Sequence, residues 1–226
     1  MQLLKHTRYW IAGVALLLMA ACEKDYYQYE KYIANGPIVY PGRPDTVQAL
    51  AGKERILLKW KVPSDLNITG YKVFWNFGVD SLPIPGRTNG STDSVTVYIN
   101  NLPQGAYSLT VYAYDKSGHR SVGTQAIGNV YGSLFSSTIF NRPYSTLKKE
   151  SATSRLLVAW VGLDAKSIGT EWNYTNTNGE AASLYSPLGD STIITGINVT
   201  KPISYRSLFL PENKAIDTFY TEYKSL

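Results

Sequence analysis

The chain has 226 residues, with 22 Lys+Arg against 17 Asp+Glu for a net charge of +5, one cysteine and two histidines. So little cysteine and histidine excludes a disulfide framework and the usual Cys/His zinc sites, so stability has to come from packed cores and no metal or cofactor is expected. The basic residues form no cluster, which leaves no electrostatic footprint for nucleic acid. Eighteen Tyr, 18 Gly and 11 Pro point to many short strands and turns, an all-β chain.

The first residues are different. Lys5, His6 and Arg8 precede an apolar run from Trp10 to Met19, and Ala20 and Ala21 stand before Cys22. A basic start, a short apolar stretch and small residues make a secretory signal, and the run is short for a permanent span. The stretch Leu18-Met19-Ala20-Ala21-Cys22 resembles the bacterial lipobox, with Met19 in place of the usual leucine. That resemblance implies cleavage before Cys22 and a diacylglycerol on its thiol, tying residues 22–226 to a membrane. Removal of residues 1–21 lowers the net charge to +3, since Lys5 and Arg8 are its only charged side chains, and leaves His119 as the one histidine.

Residues 22–44 read as a tether. Glu23, Lys24 and Asp25 behind Cys22 resemble a surface-export signal of Bacteroidota lipoproteins, which implies outward display; a periplasm-facing protein is the alternative. Tyr26, Tyr27, Tyr29 and Tyr32 follow, then Gly36-Pro37 and Pro41-Gly42-Arg43-Pro44, too broken for a helix or central strand. From residue 45 short β-rich runs alternate with turn residues: 47–50, 55–61, 70–76, 94–99, 107–114 and 121–127. Tyr71, Val73 and Trp75 share one face of the third run, and Tyr107, Leu109, Val111 and Ala113 share one face of the fifth. Trp60, Tyr71 and the run Leu102-Pro103-Gln104-Gly105-Ala106-Tyr107 resemble the fibronectin type III domain over residues 45–128, the last run resembling its tyrosine corner. The resemblance implies a buried phenol reaching back to the backbone, with Leu102 plugging the core.

The second half echoes the first at an offset near 100 residues. Arg155-Leu156-Leu157-Val158-Ala159-Trp160 repeats Arg55-Ile56-Leu57-Leu58-Lys59-Trp60, and Thr170, Trp172 and Tyr174 alternate where the third run is due. Residues 129–226 are therefore expected to form a second β-sandwich, without a comparable tyrosine corner, and 134–144 is either its first strand or a clasp between the halves. The whole is two tandem fibronectin type III/immunoglobulin-like β-sandwiches behind a helical lipoprotein signal peptide. Val39-Tyr40-Pro41-Gly42, Val130-Tyr131-Gly132 and Ile216-Asp217-Thr218-Phe219, together with Cys22, make the chain similar to an uncharacterised domain family of Bacteroidota lipoproteins. Such families are often encoded beside glycan-uptake systems; the resemblance implies a location and an architecture, and no activity.

No catalytic constellation emerges. His119 sits in Lys116-Ser117-Gly118-His119-Arg120, a turn between strands, where it is a poor general base. The acidic residues fall mostly in turns; Glu171, beside Trp172, is the exception and reads as a solvent-facing carboxylate. Aromatic residues are the better lead. Trp75-Asn76-Phe77 and Trp172-Asn173-Tyr174 each place aromatics beside an amide where a strand runs out towards a loop, and sugar rings stack on aromatic planes while Asn bonds hydroxyls. Inward packing of Trp75 and Trp172 is the competing reading. Thr46, Ser94 and Ser191 each follow an aspartate and precede an aliphatic or Thr residue, which resembles the O-glycosylation sequon of exported Bacteroidota proteins; aspartate followed by Ser or Thr is also an ordinary turn opener.

The expected protein is a non-enzymatic binding or accessory protein of the cell surface, held to the outer membrane through lipidated Cys22, with a glycan or other extracellular polymer as ligand. The alternative is a structural or adhesion spacer that displays or docks a surface protein.

Overall fold

The computed structural model describes residues 38–86 and 94–226, so the signal segment, Cys22 and the tether as far as residue 37 lie outside the described residues. Pro41 and Pro44 at the tether's end are buried against the first sandwich, and Gly42 donates its amide to Asp65 Oδ2 at 2.9 Å. Residues Pro41–Leu226 form one compact unit. Its first half is a sandwich of two layers. In one, β1 (Asp45–Lys53) and β5 (Ser94–Asn100) flank β2 (Arg55–Lys61). In the other, β4 (Asp80–Pro85), β3 (Ile68–Trp75), β6 (Gly105–Asp115) and β7 (Thr124–Tyr131) lie side by side in that order. The layers join where the end of β1 runs parallel to β7, pairing Gly52 with Val130 and Lys53 with Tyr131.

Alternation of apolar residues builds the core. Ile56, Leu58 and Trp60 of β2 face inward and meet Tyr71, Val73, Leu109, Val111 and Ala113 from the opposite layer. Each fully buried Leu, Ile or Val contributes about 1.5–3 kcal/mol. The Trp60 and Tyr71 rings meet edge to face at 5.3 Å. At the start of β6 the Tyr107 hydroxyl donates to the Pro103 carbonyl at 2.8 Å, and Leu102 beside it is buried. The tyrosine corner thus has its hydrogen bond, but the Tyr107 ring is half-buried rather than buried, because it closes the edge of the core.

The second half repeats this plan strand for strand. β8 (Tyr144–Glu150), β9 (Arg155–Trp160) and β12 (Ser191–Thr195) make one layer, ordered β12-β9-β8 like β5-β2-β1. β10 (Ser167–Thr175), β11 (Ala181–Pro187), β13 (Ser204–Phe209) and β14 (Phe219–Tyr220) make the other, ordered β11-β10-β13-β14, with β15 (Lys224–Ser225) also on β13. Leu156, Val158 and Trp160 of β9 point into this core as Ile56, Leu58 and Trp60 of β2 do into the first. Tyr205, at the start of β13, forms no local corner. Its ring is fully buried and stacks on Trp172 at 5.0 Å, while its hydroxyl donates to the Arg142 carbonyl at 2.8 Å. Burial, with the neighbouring Tyr144, pushes its phenol up to about 12. The unfolded chain releases that proton near pH 10, so stability falls as pH rises from about 10 towards the folded value. Tyr205→Phe is expected to lose that part of the alkaline slope, read by urea melts between pH 9 and about 12.

Between the sandwiches lies a clasp. The segment after β7 forms a short helix, α1 (Ser133–Thr138), whose Phe135 joins Ile139, Phe209 and Phe219 in a small buried cluster that Tyr131 flanks. Residues 134–144 are therefore clasp first, and the strand begins only at Tyr144. From the C-terminal segment Ile216 donates its amide to the Ala51 carbonyl at 2.8 Å, and Asp217 accepts from the Lys53 amide at 2.8 Å and from Arg55 Nε at 2.9 Å. Glu212 accepts from Asn129 Nδ2 at 2.8 Å and from the Tyr131 hydroxyl at 3.0 Å. Gly52 makes the close approach: a Cβ there would stand 2.7 Å from Asp217 Oδ2 and 2.9 Å from Ile216 Cγ1.

Candidate functional site

Strand β3 ends at Trp75, and the next residues turn sharply. Asn76 has φ 49°, Phe77 φ 55° and Gly78 φ 86°, three consecutive left-handed residues. Glycine holds that conformation freely and asparagine tolerates it, but a phenylalanine there costs on the order of 1–2 kcal/mol. The Val79 amide closes the turn on the Asn76 carbonyl at 3.1 Å, and Asn76 Nδ2 donates to Asp80 Oδ2 at 3.2 Å. The result is an aromatic ring pushed fully into solvent, with Val79 beside it 79% exposed. Trp75 itself is half-buried, one side packed on the first core.

An open groove of about 1070 Å³ runs beside this turn. Its far wall is the corner Asn100–Pro103, held by the Tyr107 hydroxyl and turned at Asn101, whose φ is 58°. Its floor is the outer face of the second layer, where Phe74, Thr110 and Gln125 stand in one register row across β3, β6 and β7. Phe74 and Tyr112 meet edge to face at 5.7 Å, and the Arg120 guanidinium lies 5.0 Å from the Tyr112 ring. Among the lining residues only Asp80 and Arg120 carry charge; the rest of the polar surface is amide and hydroxyl, from Asn76, Asn100, Asn101, Gln125, Ser108 and Thr110. Aromatic edges with uncharged donors and acceptors fit a polyhydroxylated ring better than an ion.

The second aromatic triplet is not its counterpart. Trp172 is 0% exposed, stacked on Tyr205 and 5.9 Å from Trp160, with its indole N–H donated to Thr170 Oγ1 at 3.0 Å. It offers no platform to a ligand, which corrects its assignment as a contact. The cause is register: β3 stops at Trp75, whereas β10 continues past Trp172 to Thr175, so Thr170, Trp172 and Tyr174 face the core. Tyr174 packs half-buried against that core, and only Asn173 of the three is exposed. The corresponding turn in the second sandwich is carried by residues 176–180 instead, where Asn176 bonds Glu180.

The remaining candidates fall elsewhere. Glu171 lies on the outer face of β10, 2.5 Å from Arg206 Nε and 3.0 Å from the Tyr223 hydroxyl, with Arg206 between the Tyr220 and Tyr223 rings. His119 closes the β6–β7 turn, its Nδ1 2.9 Å from Asp115 Oδ2, while the Ser117 and His119 amides donate to Asp115 Oδ1. That carboxyl is half-buried, which raises its pKa, yet the hydrogen bonds from His119 and Ser117 win and hold it below the usual range. Among the described residues no group of three or more His, Cys, Asp or Glu is placed to hold a metal. Thr46 is exposed with φ 48°, Ser191 is exposed, and Ser94 is half-buried.

Sequence reasoning found Trp75-Asn76-Phe77 and missed the rest of the groove. Leu102, Pro103 and Tyr107 were read for the fold alone, and Asn100, Asn101, Arg120 and Gln125 carried no signal of a site. What unites them is adjacency of β3, β6 and β7, which no local pattern encodes.

Among solved structures, the chain is similar to the chicken CNTN1 FN1-FN3 domains, at 14% identity and TM-score 0.48, over 84% of this chain and 68% of that one. It is also similar to a two fibronectin type III domain segment from chicken tenascin, at 13% identity and TM-score 0.32, over 81% of this chain and 97% of that one. No curated protein matches the sequence. The model of one family does match, over residues 22–219, and the chain belongs to that family, DUF4998, a domain of unknown function.

Proposed function

We propose that the protein is a non-catalytic binding protein whose ligand is an uncharged segment of polysaccharide, held in the groove between the Trp75–Gly78 turn and the Asn100–Pro103 corner. One observation carries this reading: the Phe77 ring is fully exposed, and it is held there by a backbone conformation that phenylalanine disfavours. Strain of this kind persists where the surrounding structure imposes it, and it concentrates at ligand contacts. A sugar ring stacked on Phe77 or on the open side of Trp75 finds amides and hydroxyls within the same groove.

The proposal includes the location. Cleavage before Cys22 and lipidation of its thiol tether the chain to the outer membrane, facing outward, and Thr46, Ser94 and Ser191 are its glycosylation sites. Mass spectrometry of the protein from its own cells tests both: a diacylglyceryl Cys22 and glycosylated Ser or Thr at those positions are expected, and an unmodified Cys22 overturns the anchor. The clasp centred on Asp217 and Glu212 favours a second role as a spacer, since it ties the two sandwiches directly to each other.

Native affinity electrophoresis against a panel of neutral and charged polysaccharides tests the ligand. At least one neutral glycan is expected to retard the protein, with Phe77→Ala weakening retention about 2–10-fold, the size of a lost aromatic contact. No binding to any glycan leaves the spacer reading.

A further inference from the structure

We propose that β5 is an open edge on which a second copy of the chain adds its own β5, antiparallel and related by a two-fold axis at Val97. β5 pairs with β2 alone and ends its sheet, so among the described strands nothing covers its outer side. Free edges invite pairing, and proteins normally guard them with charge, proline or shortness. The other edges here are guarded: β4 carries Asp80, Pro83 and Pro85, β8 carries Lys148, Lys149 and Glu150, and β11 ends in Pro187. β14 and β15 are two residues each, and β12 has five. β5 has seven residues, Ser-Val-Thr-Val-Tyr-Ile-Asn, with no charge, proline or glycine.

The occupant follows from self-complementarity. A two-fold axis at Val97 sets Val95 against Ile99, Thr96 against Tyr98 and Ser94 against Asn100, which matches aliphatic with aliphatic on the inner side and opposes no like charges. Val95 and Val97 are only half-buried and Tyr98 is 46% exposed, a burial that a neighbouring strand would finish. Lys59 and Lys61 lie one strand inward, opposite Thr96 and Ser94. In the paired sheet Lys59 of one copy stands three strand spacings across and two residues along from its counterpart, about 16 Å away, beyond the Debye length of about 8 Å at physiological salt. A foreign acidic strand drawn by those lysines is the competing occupant.

The test uses residues 22–226 with Cys22→Ser, which leaves no thiol, made without glycosylation because a sugar on Ser94, the first residue of β5, would block the pairing. One strand pair makes a small interface, so sedimentation equilibrium is expected to show reversible doubling of mass at or below about 1 mM. Thr96→Lys, at an exposed position, is expected to weaken the dimer about 2–5-fold through the diagonal like-charge contact across the axis. Val97→Cys in this background is expected to form an intermolecular disulfide on mild oxidation, and Ser81→Cys, on the proline-guarded edge, is not. A single mass up to about 1 mM overturns the proposal and leaves the edge to a foreign strand. Equal cross-linking by Val97→Cys and Ser81→Cys overturns the assigned edge; because Asn100 ends β5 and also lines the groove, glycan binding is measured separately, on monomeric protein.

Discussion

Trp172→Ala is expected to destabilise the protein by about 3–5 kcal/mol, the range for truncating a large buried aromatic. The indole is 0% exposed, stacks on Tyr205, touches Trp160 and gives its N–H to Thr170, so its loss opens a cavity and leaves a buried hydroxyl without its donor. Phe77→Ala is expected to change stability by less than about 0.5 kcal/mol, as surface substitutions do, since alanine keeps a Cβ and with it the strain of the left-handed position. Urea melts of the two variants side by side decide the matter. A Trp172→Ala midpoint close to wild type contradicts the inward register of β10 and would return that tryptophan to the ligand candidates.

Asp217→Asn is expected to cost about 1.5–3 kcal/mol, the range for hydrogen bonds to a charged group. The carboxylate accepts from the Lys53 amide, from Arg55 Nε and from Arg55 Nη2, and its side chain is 20% exposed. An asparagine keeps an acceptor for one of these and turns an N–H towards another. The first effect of the change is therefore on the clasp, and limited proteolysis should cut the 132–143 segment faster in the variant while both cores stay folded. The pH dependence follows from the same contacts. The hydrogen bond from Arg55 outweighs burial and holds the Asp217 carboxyl below its ordinary value. A depressed folded pKa means the contribution is complete above the unfolded value of about 3.9 and is lost as pH falls further through the folded one. Acid titration of stability should be shallower for Asp217→Asn than for wild type in that window. Equal slopes would place the clasp's strength in the Phe135 and Phe219 cluster alone.

The fold was legible wherever alternation and length agreed. The run 55–61 coincides with β2, and its echo at Arg155–Trp160 coincides with β9, because in both every second residue is a large apolar group facing a core. The edge strand β4 was missed: it carries Pro83 and Pro85, and an edge strand is the place in a sheet that tolerates them. The candidate site was legible by half. Trp75 and Trp172 look alike as tripeptides, yet one ends a strand and the other sits mid-strand, a difference set by how far β10 continues and invisible in the residues themselves. Ile216-Asp217-Thr218-Phe219 stood out as a motif, but its role depends on Lys53 and Gly52, more than 160 positions away. Tyr205 lies opposite Trp172 as Val111 lies opposite Val73, so it is not the counterpart of Tyr107, and only the placement of Arg142 shows that its hydroxyl is held by a long-range bond.

The proposed ligand of the groove beside Phe77 is a neutral glycan. The most direct measurement is the dissociation constant of the best neutral oligosaccharide for wild type, Phe77→Ala and Asn101→Ala, by isothermal titration on folded protein. The expected result is saturable wild-type binding that each variant weakens by about 2–10-fold at unchanged stability. Wild-type affinity retained in both variants, or binding confined to charged glycans, would contradict it.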